Sequence, residues 1–266
     1  MAKVSEEAKQ IYANRIQKYK NILDKLSSRE KNLESVIASS DSGFEVQRFA
    51  LSELLINKVS FYLLMNALSE QLLGIKNDGF LNEARKLCSV SIMRIEDVVS
   101  SSIDPPLSEL KGRWDAIMGI NDIERFRLIN KLGFSLASVK DAFGEVSKWK
   151  WAFVDLEARF AVVSKNILDL REIVAKLDPR IDGYRERLLY VDMVKRLLAQ
   201  AADRYRERYE LSTQRLDDFR KAILFLESYK RFNQILGNKE EVESTNRKID
   251  VWKTKMEDDE KRAKNS

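Results

Sequence analysis

An all-α protein built from long amphipathic helices is predicted by three features of this sequence. Only three prolines and nine glycines interrupt 266 residues. Charged side chains make up 33% of the chain, and apolar residues recur at steps of three and four over most of its length. Such a composition belongs to long helices and coiled coils, and the glycine and proline clusters that would bound short strands are scarce. The expected architecture is an elongated bundle of about six or seven long antiparallel helices with coiled-coil-like packing. It reads as a single elongated domain over 1–266. A subdivision into N-terminal helices (1–106) and a C-terminal long-helix hairpin with a capping helix (107–266) is the alternative.

The first helix is expected over 4–37, where Ala8, Tyr12, Ile16, Tyr19, Leu23, Leu26, Leu33 and Ile37 form one stripe. Glu30 is its polar intruder. The segment from Ser39 to Gly43 breaks it with residues that cap, turn and admit positive φ. The second helix, 44–73, carries Leu54, Leu55, Ile56, Val59, Phe61, Leu63, Leu64, Met65, Leu68, Leu72 and Leu73, too many for one face. A helix apolar around most of its circumference is buried by several neighbours, so this one is expected at the centre. Gly74 and Asn77-Asp78-Gly79 end it. A third helix presents Leu81, Ala84, Cys88, Ile92, Ile95 and Val99 at helical spacing. Asp104-Pro105 predicts a helix start, with Asp at the N-cap and Pro at the first position. Leu107, Leu110, Trp114 and Ile117 then face inward. Asn121 and Glu124 have the spacing of a capping box.

The longest pattern follows. Val139, Ala142, Val146, Trp149, Phe153, Leu156, Phe160, Val163, Ile167, Leu170, Val174 and Leu177 alternate steps of three and four, a sustained heptad seam. A second helix is expected over 179–236, opened by Asp178-Pro179 and roughly 85 Å long at about 1.5 Å per residue. Its seam runs through Tyr184, Leu188, Val191, Lys195, Leu198, Ala202, Tyr205, Tyr209, Ser212, Leu216, Phe219, Ile223 and Leu226. The two should fold back as an antiparallel hairpin. Gly237 closes the second, and a last helix carries Val242, Ile249, Trp252 and Met256.

Charge and chemistry narrow the function. The chain holds 47 basic and 42 acidic residues, a formal charge of +5, and acids and bases are mixed along its whole length. A dedicated nucleic-acid binder shows a clustered basic footprint, so nucleic acid is disfavoured as a partner. There is no histidine, which removes the commonest general base and the imidazole of nucleophile–base pairs. One cysteine makes neither a disulfide nor a thiolate zinc site, and Cys88 in an apolar stripe reads as a buried structural thiol. Glycine-rich phosphate cradles are missing. The protein is therefore read as non-enzymatic, with no catalytic, cofactor or metal residues. No stretch is apolar enough for a membrane span, and the first residues lack the apolar core of a secretory signal. Solubility and a cytoplasmic location are the expectation, a signal removed beforehand aside.

Two places are candidates for an interaction surface. Lys148, Lys150 and Trp151 set lysines beside an aromatic ring, and Trp151 starts a second stripe with Val154, Ala158 and Ala161. Arg204, Arg208 and Arg215 form a row in the most arginine-dense stretch. Interleaved Asp203, Glu207 and Glu210 dilute its field, so a solvated, self-paired face is expected there. Between Asp203 and Asp218 the long helix has a single narrow apolar stripe, which predicts a place where the bundle is thin. At the level of architecture, a hairpin of long helices with a third resembles the membrane-shaping crescent domains and the spectrin-like bundles, an analogy of shape that carries no function. The expected function is that of a structural or adaptor protein acting through amphipathic helix faces, with other proteins as partners and a homodimer among the options. The alternative is a peripheral, curvature-associated binder of anionic membrane using the basic face.

Overall fold

The computed structural model describes residues 4–39, 43–144 and 149–264, of which 263 is described by its backbone alone. The chain is 85% helical. Among the described residues there are ten α-helices, one π-helical turn and no strand. Ten exceeds the six or seven expected because two of the predicted long helices are broken. The helices fall into two compact units: Met1–Val98 with Ala116–Ile120 and Arg127–Trp149, and Val99–Asp115 with Asn121–Phe126 and Lys150–Ser266.

The first unit is built from α1 (Glu6–Ala38), α2 (Glu45–Leu73), α3 (Asp78–Val99) and most of α5 (Asp122–Phe143). Ser5 caps α1, its hydroxyl accepting from the Ala8 N–H at 3.1 Å, which satisfies a donor that the first turn leaves free. Ile16 and Leu23 of α1 pack on Met65 and Leu68 of α2, ringed by Tyr12, Tyr19, Phe61, Tyr62, Leu72 and Phe80. Glu30, the intruder in the α1 stripe, accepts a hydrogen bond from Lys58 of α2 at 2.5 Å. The polar break in the seam is thus matched by a buried cation opposite. α2 buries residues on several faces, from Phe49 and Leu51 to Leu68 and Ser69, as its composition requires. Gly74 ends it at φ 65°. The whole α3 stripe, Leu81, Ala84, Cys88, Ile92, Ile95 and Val99, is fully buried. α3 meets α2 where the Ser52 and Ser91 hydroxyls bond at 2.7 Å.

The second unit holds α4 (Leu107–Ala116), α6 (Lys150–Asn166), α7 (Leu170–Lys176), α8 (Tyr184–Arg208), the π-turn Tyr209–Thr213, α9 (Leu216–Ile235) and α10 (Lys239–Lys264). α6 and α8 are antiparallel, with Asp155 beside Tyr205 and Ser164 beside Tyr190. α8 and α9 form a hairpin, with Tyr205 stacked on Phe225 (5.7 Å) and Tyr209 on Phe219 (4.9 Å). α10 returns along α9, where Tyr229 meets Glu241 and Glu227 meets Lys253. Gly237, at φ 76°, turns the chain between them. The Asn238 N–H bonds the Asn233 carbonyl and the Gly237 N–H that of Gln234, the two bonds that close a helix in a Schellman turn.

Several predicted boundaries shift for local reasons. The 139–177 seam is not one helix. Gly144 ends α5 at φ 82°, and Asp169 caps α7 by accepting from the Arg171 N–H. Phe153, Leu156, Phe160, Val163, Ile167 and Leu170 are nevertheless buried, while Val174 is exposed. Val146 lies outside the described residues. The 179–236 helix likewise divides. Asp178 accepts from the Arg180 N–H and guanidinium rather than capping a helix, and α8 begins at Tyr184 after Gly183 in the left-handed region. Asp104 does not cap α4 either. The Glu109 and Leu110 N–H groups bond to the Pro106 carbonyl, so the helix starts two residues later and leaves the Asp104 carboxylate to other partners. The capping box at α5 forms in both directions: Glu124 N–H to Asn121 Oδ1 at 2.9 Å and Asn121 N–H to Glu124 Oε2 at 3.3 Å.

Candidate functional site

The α8–α9 hairpin tip gathers most of the residues singled out from sequence. α8 loses α-helical geometry at Tyr209, and the Gln214 N–H bonds back to the Tyr209 carbonyl, five residues earlier, at 3.0 Å. Gln214 sits at φ 50°, a conformation costly for a residue with a Cβ. Its surroundings hold it there. Thr213 donates its hydroxyl to Asp218 at 2.7 Å and accepts from the Arg215 N–H at 3.3 Å.

Arg208 organises this tip from inside. It is 8% exposed, a correction to the solvated row expected of it. Its guanidinium reaches Asp218 through Nε (3.1 Å) and Nη2 (2.5 Å), and Asp155 of α6 through Nη1 (2.8 Å) and Nη2 (3.2 Å). The Tyr205 ring lies 4.9 Å from its centre, and the Tyr205 hydroxyl donates to Asp155 at 2.8 Å. Burial works against the Arg208 charge, but the bonds to both aspartates outweigh it and raise its pKa. Burial likewise disfavours the Asp155 carboxylate, yet hydrogen bonds from Arg208 and Tyr205 hold it below the usual range. A planar guanidinium satisfying two carboxylates is the use for which arginine, not lysine, is suited.

The remaining candidates surround this clamp. Lys150 donates to Glu207 at 2.9 Å and lies 4.6 Å from the centre of the Trp151 ring. Arg204 donates to the other oxygen of Glu207 at 3.0 Å, and with Lys150 it depresses the Glu207 carboxyl. Trp151 is half-buried and Arg215 is exposed beyond the turn, so the three arginines do not form one row along one helix. Lys148 lies outside the described residues. Leu211, on the π-turn, is 68% exposed. The stretch from Asp203 to Asp218, expected where the bundle is thin, instead meets α6 at Asp155, α9 at Phe219 and Phe225, and α10 at Asp259.

Sequence reasoning missed a second constellation. The last three residues of α6, Ser164, Lys165 and Asn166, are polar and all buried. Ser164 donates its hydroxyl to the Phe160 carbonyl, and its own carbonyl accepts from the Tyr190 hydroxyl at 3.0 Å. Asn166 donates to the carbonyls of Ser100 and Ser102, both at 3.0 Å, and its carbonyl accepts from the Trp114 indole at 2.7 Å. Ser100 is held at φ 122°. Asp104, freed from capping, lies 3.8 Å from Lys165 and 3.2 Å from Arg231 of α9. A signal for this site existed. The second stripe of α6, Trp151, Val154, Ala158 and Ala161, continues by one more helical step to Lys165.

Cys88 is fully buried, and desolvation pushes its thiol up to about 12, so it is protonated and inert at neutral pH. Among the described residues, no group of three or more acidic or cysteine side chains is placed to hold a metal, and no helix is long and apolar enough to cross a membrane. No curated protein and no solved structure matches the chain. A family model matches residues 8–260, nearly the whole length, and the chain belongs to the TP0443 family.

Proposed function

We propose that the protein is a non-enzymatic helical adaptor that presents the α8–α9 hairpin tip to another protein. One observation carries the reading: a clamp of buried Arg208 and Asp218 with half-exposed Asp155 stabilises a surface turn that exposes Leu211. Fixing a turn before it meets its partner removes part of the ordering cost of association. An apolar side chain surrounded by paired charges suits a protein interface, where an apolar centre is rimmed by polar groups. Lys150, Trp151, Arg204 and Arg215 supply that rim, and Arg208 supports it from within. The helices bring their faces together by coiled-coil-like packing of the seam residues.

The membrane alternative draws less support, because Arg208 is internal and Arg204 and Lys150 already share Glu207. A photo-crosslinking amino acid at position 211, in the native source, tests the proposal. A discrete adduct is expected from position 211 and none from position 224 on α9. The adduct should disappear in Arg208→Met. Absence of any adduct would sink the adaptor reading. Salt-sensitive flotation with anionic vesicles, lost in a Lys150→Glu, Arg204→Glu, Arg215→Glu variant, would put the membrane reading in its place.

A further inference from the structure

Lys165 is a buried cation whose one ion-pair partner, Asp104, is distant and shared. Its side chain is 7% exposed, and its nearest acidic atom, Asp104 Oδ1, is 3.8 Å away, beyond a hydrogen bond. Asp104 is also shared: its other oxygen is engaged by Arg231 at 3.2 Å. Two cations and one anion leave a single uncompensated positive charge, and Lys165 holds it on the low-dielectric side.

That charge lines a pocket. Asp104, Lys165, Ser228 and Arg231 are its polar members, and Pro105, Leu107, Leu110, Leu170, Phe232 and Ile235 supply apolar walls. The Ser228 hydroxyl donates to the Ile103 carbonyl at 3.1 Å. α4 starts at Leu107, in the pocket wall, and the positive end of its dipole adds to the field. The pocket is partly open to solvent, and its space is about 10 Å³, room for one particle of roughly water size.

We infer that this pocket binds a small monoanion of chloride's size, held by Lys165 with help from Arg231 and the α4 N-terminus. The electrostatics favour an anion over water because the ammonium has lost its hydration and regained only a distant carboxylate. The small space and its apolar walls favour a weakly hydrated single atom over sulfate, phosphate and carboxylates. Binding is coupled to protonation. Burial, and secondarily repulsion from Arg231, bring the lysine down to about 8 against the pull of Asp104. An anion that requires the ammonium form therefore binds best below pH 8 and takes up a proton above it.

The test is thermal melting of the full chain at fixed ionic strength, exchanging sodium gluconate for sodium chloride at pH 7. Specific binding to the native state should raise Tm by about 2–4 °C for each tenfold increase in chloride above its Kd. The rise should shrink as pH passes from 8 to 10. Lys165→Met should remove the chloride-specific part. If Lys165→Met does not fold, Arg231→Gln, whose side chain is half-exposed, is expected to weaken the effect several-fold. A bromide soak should place one anomalous peak beside Lys165. Equal melting in chloride and gluconate, or a chloride response surviving in Lys165→Met, would overturn the inference.

Discussion

Two buried cations in the second unit have opposite fates. At the hairpin tip, Arg208 spreads its charge over both oxygens of two aspartates and rests against an aromatic ring. At the end of α6, Lys165 has one carboxylate, distant and shared. Both lose hydration, and only the first regains in bonds what it lost. The difference lies in side-chain geometry as much as in the number of acids nearby, because a fork of five N–H donors can serve two carboxylates at once and a point charge cannot. One cation therefore binds the fold together, while the other leaves a charge that a ligand can answer.

The largest effect that follows is at the tip. Arg208→Met keeps the aliphatic stem but leaves Asp218, itself buried, facing Asp155 with no cation between them. Breaking a buried pair from one side costs about 3–5 kcal/mol, and the half-exposed Asp155 lowers that to about 2–4 kcal/mol. Chemical denaturation of the variant checks this. A loss below about 0.5 kcal/mol would return Arg208 to the solvated face that its charged neighbours suggest in the sequence. Acid should act in the same direction. The Asp155 carboxyl is depressed in the fold, so its stabilisation is present above the ordinary aspartate range and fades as pH falls through the lower folded value. Arg208→Met should flatten that acid limb.

The second effect has the opposite sign. Lys165→Met replaces an under-paired buried ammonium with an apolar chain of similar length and leaves Arg231 to pair with Asp104. In gluconate buffer at pH 7 it should stabilise the protein by about 1–3 kcal/mol, as for a buried pair replaced whole, because Arg231 keeps Asp104 from being stranded. The pH dependence identifies the cause. The lysine pKa is lowered in the folded state, to about 8 from an ordinary 10.5. Below pH 8 both states are protonated and the whole penalty is present. Between 8 and 10.5 the unfolded chain holds more protons, so wild-type stability rises with pH and the gap to the variant closes. A gap that stays constant from pH 7 to 10.5 would mean that packing, not charge, separates the two proteins.

How far these sites could be read from sequence depended on whether their causes were local. The α3 stripe and the Asn121–Glu124 box were legible because three- and four-residue spacing and a four-residue cap are local physics. The helix breaks were not. An apolar seam says which side of a segment is buried, and it runs on through a turn when both flanking helices bury the same side. The seam from Phe153 to Leu170 therefore remains buried although α6 ends at Asn166. At the α8–α9 turn no glycine or proline marks the break, since Gln214 takes the left-handed conformation itself. Arg208 and Lys165 were hidden for a different reason. Their partners, Asp155 and Asp104, lie 53 and 61 residues away along the chain, and no periodicity reports a long-range ion pair.

The smallest effect sharpens the comparison by supplying its control. Arg204 is one turn before Arg208 on α8 and carries the same guanidinium, but its side chain is 39% exposed and its single partner Glu207 is shared with Lys150. An exposed pair of this kind gains little Coulomb energy in water and gives up side-chain entropy to hold its geometry. In Arg204→Ala the Glu207 carboxylate keeps Lys150, so no charge is stranded. The expected change is within about 0.5 kcal/mol, and it should vanish into the baseline at high salt, where exposed pairs are screened. The same denaturation series run on Arg204→Ala and Arg208→Met then isolates burial as the variable, since residue type and helix are held constant. A loss at Arg204 as large as that at Arg208 would show that the tip depends on its total charge rather than on the buried clamp, and would remove the physical basis for a preformed turn.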